Sequence, residues 1–179
     1  EISRFGLIYA GAQKNMGIAG LTVVIVREDL LGQAHPCTPS VLDYGIQAKH
    51  SSLYNTPPTF AIYLAGLVFK WLHAQGGLAA MAESNRRKSA RIYTVIERSE
   101  GFYRCLVQPQ WRSQVNVCFR LANETLTPMF IEAAQCAGLF HLAGHPNAGG
   151  VRASLYNAMP EEGAEALARF MEAFAARNA

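Results

Sequence analysis

Two short apolar runs open the chain, at residues 5–10 and 21–26, and a polar, glycine-studded stretch at 11–20 separates them. Apolar runs of this length bounded by glycine predict buried strands, with the intervening loop held at the end of a sheet where the backbone can approach a ligand. Residues 27–32 predict a short helical turn, and 35–52, rich in Pro, Ser and His around Asp43-Tyr44, a long irregular segment. Asn55-Thr56-Pro57-Pro58-Thr59 reads as a helix start, with Thr56 able to cap free amides and a proline suited to the first helical position. Phe60, Leu64, Leu67 or Val68, and Trp71 then recur at helical spacing and predict the buried face, with Gly76-Gly77 as the stop.

A second helix is predicted over 78–98, with Leu78, Met81, Ile92, Val95 and Ile96 as its apolar members and Arg86, Arg87, Lys88 and Arg91 on the opposite, solvated side. The remainder alternates. A strand is predicted at 115–121, a helix from Thr127-Pro128 to about Ala137 before Gly138, and a strand pair around 140–142 and 153–156. A last helix is opened by Pro160, with Glu161 and Glu162 in its first turn and Arg177 near its end, as the macrodipole favours. Its inward face is Ala164, Leu167, Phe170, Met171 and Phe174.

The chain has 179 residues, half of them hydrophobic, and a net charge of +3. That length supports one domain or two small ones. The charge is too modest to argue for nucleic acid, and no aromatic residues are interleaved with the basic ones. The opening Glu1 suggests a processed product or one piece of something longer, with no signal peptide expected. The apolar stretch at 60–72 contains Lys70 and is too short to span a bilayer. Cys37, Cys105, Cys118 and Cys136 are unevenly spaced without a Cys-x-x-Cys pair, so they predict buried or incidental thiols in a reducing cytoplasm. His35, His73 and His141 show no metal-ligand spacing.

Lys14 is the residue with the most distinctive surroundings. It reads either as a solvated turn lysine or as an amine that apolar flanks and glycines desolvate into a nucleophile. Spacing leaves both readings open. The segment Phe5-Gly6-Leu7-Ile8-Tyr9-Ala10-Gly11-Ala12-Gln13-Lys14-Asn15, however, resembles the pyridoxal-phosphate lysine segment of the phosphoserine aminotransferases. Further matches follow in order at Leu53-Tyr54-Asn55-Thr56-Pro57-Pro58-Thr59-Phe60, at Gly66-Leu67-Val68-Phe69-Lys70-Trp71-Leu72 and at Gly149-Gly150-Val151-Arg152-Ala153-Ser154-Leu155-Tyr156-Asn157-Ala158-Met159-Pro160. The resemblance covers nearly the whole chain and about the second half of the family's usual protein.

The resemblance implies an α/β fold, the C-terminal part of a fold type I pyridoxal-phosphate transferase. Residues 1–75 would be the end of the large domain, and 76–179 a long connecting helix with the small domain. It also implies amino transfer between glutamate and 3-phosphohydroxypyruvate in serine biosynthesis, and a related substrate in pyridoxine biosynthesis. The setting would be a cytoplasmic homodimer with shared active sites. Lys14 would hold the cofactor covalently and move the proton, with Gln13 beside it. Asn55 and Thr56 would reach the cofactor phosphate of the neighbouring subunit, although by spacing alone they cap the helix. Arg152 would clamp the substrate carboxylate, although by position alone it is a surface arginine. His145 would assist with the substrate phosphate, but Pro146 stands where the family carries arginine. Two further readings stay open: a related aminotransferase with a changed side-chain pocket, and a non-catalytic fragment lacking half the active site.

Overall fold

The computed structural model describes all of residues 1–179, which separate into two compact units, Glu1–His73 and Ala74–Ala179. In the first, strands β1 (Leu7–Gly11) and β2 (Thr22–Val26) form an antiparallel hairpin in which Leu7 pairs with Val26 and Gly11 with Thr22. The expected strands are present, but they are not buried: Leu7, Tyr9 and Ile25 are exposed, Tyr9 by 74%. A two-stranded sheet has no second layer of its own to cover it.

The short turn after β2 forms at Glu28–Leu30. The stretch expected to be irregular contains helix α1 (Tyr44–Lys49), whose first amides at Gly45 and Ile46 donate to the Asp43 carboxylate at 2.8 and 3.4 Å. Asp43 was the available signal, since aspartate directly before a helix is a preferred N-cap.

Helix α2 (Thr59–Ala74) starts three residues after Thr56, which therefore does not cap it. Instead the Pro57 carbonyl accepts from the Thr59 amide at 2.8 Å. The inward stripe also differs from expectation. Ala61 and Ala65 are buried, with Leu64, Val68 and Leu72 partly so, while Phe60, Leu67 and Trp71 are exposed. The helix is thus rotated by about one position, so that its smallest residues face inward and permit close approach.

The second unit has a conventional core. Helix α3 (Gly77–Arg98) buries Met81, Ile92, Val95 and Ile96, but Leu78 is 83% exposed. A three-stranded antiparallel sheet runs in the order β3 (Tyr103–Arg104), β4 (Asn116–Leu121), β5 (Val151–Ser154). The expected strand at 140–142 is reduced to a single bridge between Ala143 and Val151. Strand β3, a two-residue element, carried too short a pattern to be predicted.

Strand alternation puts Tyr103, Val117, Phe119, Leu121, Val151 and Ala153 on the inner face. Helices α4 (Thr127–Cys136) and α5 (Glu161–Asn178) supply the rest of the core through Phe130, Ala164, Leu167, Met171 and Phe174. The rings meet edge-on: Phe119 and Phe130 stand 6.0 Å apart at 88°, Tyr103 and Phe119 5.5 Å apart at 86°, the arrangement their quadrupoles favour. No cysteine is buried. Cys37, Cys118 and Cys136 are exposed, and all four are free thiols. No helix is long and apolar enough to cross a membrane.

One residue of the basic run departs from its expected solvated face. Lys88 is 0% exposed, and its Nζ donates to the carbonyls of Tyr156 and Met159, both at 2.9 Å. Burial shifts its amine below the ordinary lysine range, opposed by the Glu161 carboxylate. Flanking groups on α3 grip the same turn: Asn85 Nδ2 donates to Asn157 at 2.8 Å, and Arg87 bonds Glu161 at 2.6 Å.

Replacing Lys88 by Met should cost the second unit about 1–3 kcal/mol, because two carbonyls lose their donor. Arg91→Ala, which removes an exposed pair with Glu165, should cost about 0–1 kcal/mol. Denaturant unfolding measures both. Burial also pushes the Tyr93 phenol up to about 12 and raises that of Tyr103. A raised folded-state value means stability that is complete below the ordinary 10 and lost as the pH climbs through about 12. Lys88 has the opposite slope below 10.5, so the fall should be steepest above that. Tyr93→Phe should flatten it in thermal melts followed across that range.

Candidate active site

Lys14 lies in the loop at 12–21 that joins β1 to β2. The loop is held at three points. The Ala12 amide donates to the Leu21 carbonyl at 2.9 Å, the Lys14 amide donates to the Ala12 carbonyl at 2.6 Å, and Ala12 is buried. Gly17, at φ +155°, rests on α2: a Cβ there would lie 3.5 Å from the Ala65 Cα and 3.7 Å from its Cβ. Gly11 allows a second close approach, because the Gln13 Oε1 sits 2.8 Å from where a Gly11 Cβ would be. The Gln13 side chain thus folds back over the strand end.

The Lys14 side chain is exposed. Of the two readings that spacing leaves open, the exposed position matches the solvated one. The loop fixes the backbone that carries Lys14. Asn55 and Thr56 lie in the same unit, exposed, in the extended approach to α2.

Arg152 and His145 belong to the second unit. Arg152 sits on β5 opposite Cys118, and its amide donates to the Leu142 carbonyl at 2.8 Å. Its Nε is buried with no hydrogen-bond partner. A buried guanidinium nitrogen left unpaired is costly, and a carboxylate or phosphate oxygen is its natural acceptor.

His145 is exposed at the head of a tight loop. Its carbonyl accepts from the amides of Ala148 and Gly149, both at 2.9 Å, and its Nδ1 accepts from the Asn147 amide at 3.2 Å. An Nδ1 that accepts leaves the proton of the neutral ring on Nε2. Gly144 closes the loop; a Cβ there would fall 1.9 Å from the Gly149 carbonyl oxygen.

The model of the family described as aminotransferase class-V matches residues 1–167. The chain belongs to the class-V aminotransferases. It is 57% identical over 178 residues to a phosphoserine aminotransferase of Laribacter hongkongensis, covering 99% of this chain and 50% of that protein. Among solved structures, the phosphoserine aminotransferase of Bacillus circulans subsp. alkalophilus superposes with a TM-score of 0.97 at 47% identity, covering 100% of this chain and 50% of the other. The pyridoxal-phosphate-bound phosphoserine aminotransferase of Trichomonas vaginalis gives 0.89 at 41% identity, covering 95% and 48%.

The chain thus spans about half the length of the relatives it matches, and its α/β fold corresponds to the C-terminal half of a fold type I aminotransferase. Reasoning from the sequence missed Ala12, Gly17 and Ala65, the small residues that seat the lysine loop. Their only signal was the absence of bulk.

Gly17→Val should lift the loop from α2. The expected outcome is faster hydrogen exchange at the Ala12 amide, with exchange in the second unit unchanged.

Proposed function

We propose that this class-V aminotransferase chain binds pyridoxal 5'-phosphate through Lys14 and takes part in amino transfer between glutamate and 3-phosphohydroxypyruvate, giving O-phosphoserine and 2-oxoglutarate. The observation that carries the reading is the unpaired, buried Arg152 Nε, on a chain 57% identical to a phosphoserine aminotransferase. Every amino-acid substrate presents an α-carboxylate, and a guanidinium grips one with parallel hydrogen bonds.

The donor set suits the cofactor. Lys14 offers an accessible primary amine on a backbone pinned at Ala12 and Gly17. Gln13 would lie beside the cofactor, and the exposed Asn55 and Thr56 are suited to the phosphate of a cofactor held by a second copy. The division at 73/74 accords with a reading in which 1–75 closes the large domain and 76–179 forms the connecting helix and small domain. When bound, pyridoxal phosphate supplies the electron sink for the α-carbon. Lys14 would hold the cofactor between turnovers and, once released, would accept the proton from that carbon as the amine and return it as the ammonium. Arg152 orients the substrate by its carboxylate, and His145 offers Nε2–H to the substrate's distal group. A homodimer, a cytoplasmic setting, and service in serine and pyridoxine biosynthesis belong to the same proposal.

A second reading is favoured by the exposed Leu7, Tyr9 and Ile25 of the hairpin. Here the chain alone is a non-catalytic fragment that lacks half the active site. Pro146 separately favours an aminotransferase with a changed side-chain pocket, since proline offers no side-chain donor there.

Borohydride reduction after incubation with pyridoxal phosphate should leave one adduct at Lys14 by mass spectrometry, and Lys14→Ala should abolish it. Arg152→Ala should weaken amino-acid binding about tenfold or more, as expected for a lost charge-assisted pair, while the adduct remains. An adduct elsewhere than Lys14 would overturn the assignment. An adduct on the chain without transamination would select the second reading.

A further inference from the structure

The inner face of the β3-β4-β5 sheet is apolar; the outer face carries three arginines. The register sets Arg104 directly opposite Arg120, and Cys118 opposite Arg152, so Arg120 and Arg152 are diagonal neighbours across β4 and β5. Diagonal pairs stand about 7–8 Å apart, within reach of long side chains such as these. Like charges directly opposite one another destabilise a sheet. Glu124 relieves part of that repulsion, 3.0 Å from the Arg120 Nη1, whereas neither Arg104 nor Arg152 has a carboxylate partner.

The Arg120 fork is placed rather than loosely solvated. Its Nη2 donates to the Ala148 carbonyl at 2.8 Å, which fixes it to the loop that begins at His145. Gly150, φ +68°, lies beside it, and a Cβ at that position would come 3.0 Å from the Arg120 Cγ and 2.7 Å from the Phe119 carbonyl oxygen. A side chain at 150 would therefore block the path of the arginine stem. A cavity of about 210 Å³ opens beside Arg120, lined also by Cys118, Ala148, Gly149 and the apolar Leu106 and Val107; Arg152 does not line it. Two of the five donors of Arg120 are used as described; the others are available to a ligand.

We propose that Arg120 is a specificity-determining residue that binds the second negative group, a phosphate monoester, of a substrate whose carboxylate Arg152 holds. This rests on the reading of Arg152 given above. The loop at 144–150 contains no lysine or arginine. Arg120, attached to that loop from the neighbouring strand, supplies a guanidinium that recognises phosphate bidentately. Arg104 across the strand adds positive potential to the same face.

The test is calorimetric titration of the full 179-residue chain, with saturating pyridoxal phosphate, using O-phosphoserine and serine as the two probes. The parent chain should prefer phosphoserine by about tenfold or more, the range for hydrogen bonds to a charged group. Arg120→Gln keeps an amide donor for Ala148 and should remove most of that preference while leaving serine affinity unchanged, which also reports that the variant is folded. Arg120→Lys should restore part of it. Arg152→Ala should weaken both probes alike. If Arg152→Ala affects neither probe, the carboxylate reading fails, whatever Arg120 does. If Arg120→Gln leaves the preference intact, if it weakens both probes equally, or if the parent chain shows no preference or no binding, the proposal is overturned.

Discussion

The second unit depends on a charge that has no access to water. Desolvating an ammonium costs several kcal/mol even after relaxation, so Lys88 can be buried only because the Tyr156 and Met159 carbonyls meet it at 2.9 Å. Those carbonyls belong to the turn between β5 and α5. The same contact therefore fixes where the strand bearing Arg152 ends and where the final helix begins. Asn85 and Arg87 add a neutral and an exposed ionic bond to the same turn, but neither carries a comparable penalty for misplacement. A hydrophobic residue at 88 could pack, yet it could not select one geometry for the turn.

The first unit is organised on a different principle. Its buried hydrophobic residues are Ala12, Ala61 and Ala65. Burying three alanines releases little free energy compared with the aromatic cluster around Phe130. What the alanines and Gly17 provide is proximity: the lysine loop can lie directly on the backbone of α2 because nothing protrudes between them. Position is fixed there by the absence of side chains, while most of the large apolar residues of the unit remain exposed. Such a surface is characteristic of a structural layer that packs against further protein, which agrees with a chain that covers 50% of its relatives' length.

This difference explains what the sequence could and could not reveal. The extents of helix α3 and strand β4 and the inward face of helix α5 were legible, since each has an apolar stripe that finds a partner within its own unit, although α3 exposes Leu78 and buries Lys88. Helix α2 was legible as a helix, but its inward stripe was not. Hydrophobic periodicity assigns the largest residues to the interior, and here the packed surface is made of the smallest ones. Helix α1 was hidden by its shortness and betrayed only by Asp43. The candidate site rests on resemblance, through Lys14 and Arg152 within long matching segments. The buried, unpaired Nε of Arg152 has no signature in one dimension.

Lys14 and Lys88 show how little local sequence says about environment. Lys14, flanked by apolar runs and glycines, reads either as solvated or as desolvated, and it is exposed. Lys88 lies in a run of basic residues and reads as solvated, yet it is sealed. Periodicity resolves the second case: Met81, Asn85, Lys88, Ile92 and Val95 recur every three or four residues on α3 and are all buried, so Lys88 lies on the inner stripe while its arginine neighbours do not. Access then separates their chemistry. An ammonium sealed from solvent, with two of its three protons given to carbonyls, has no path to an electrophile. An exposed lysine on a rigid backbone can be reached by a cofactor aldehyde, and the ligand that arrives can exclude water itself. Of the two, Lys88 serves the fold, while Lys14 remains exposed to solvent.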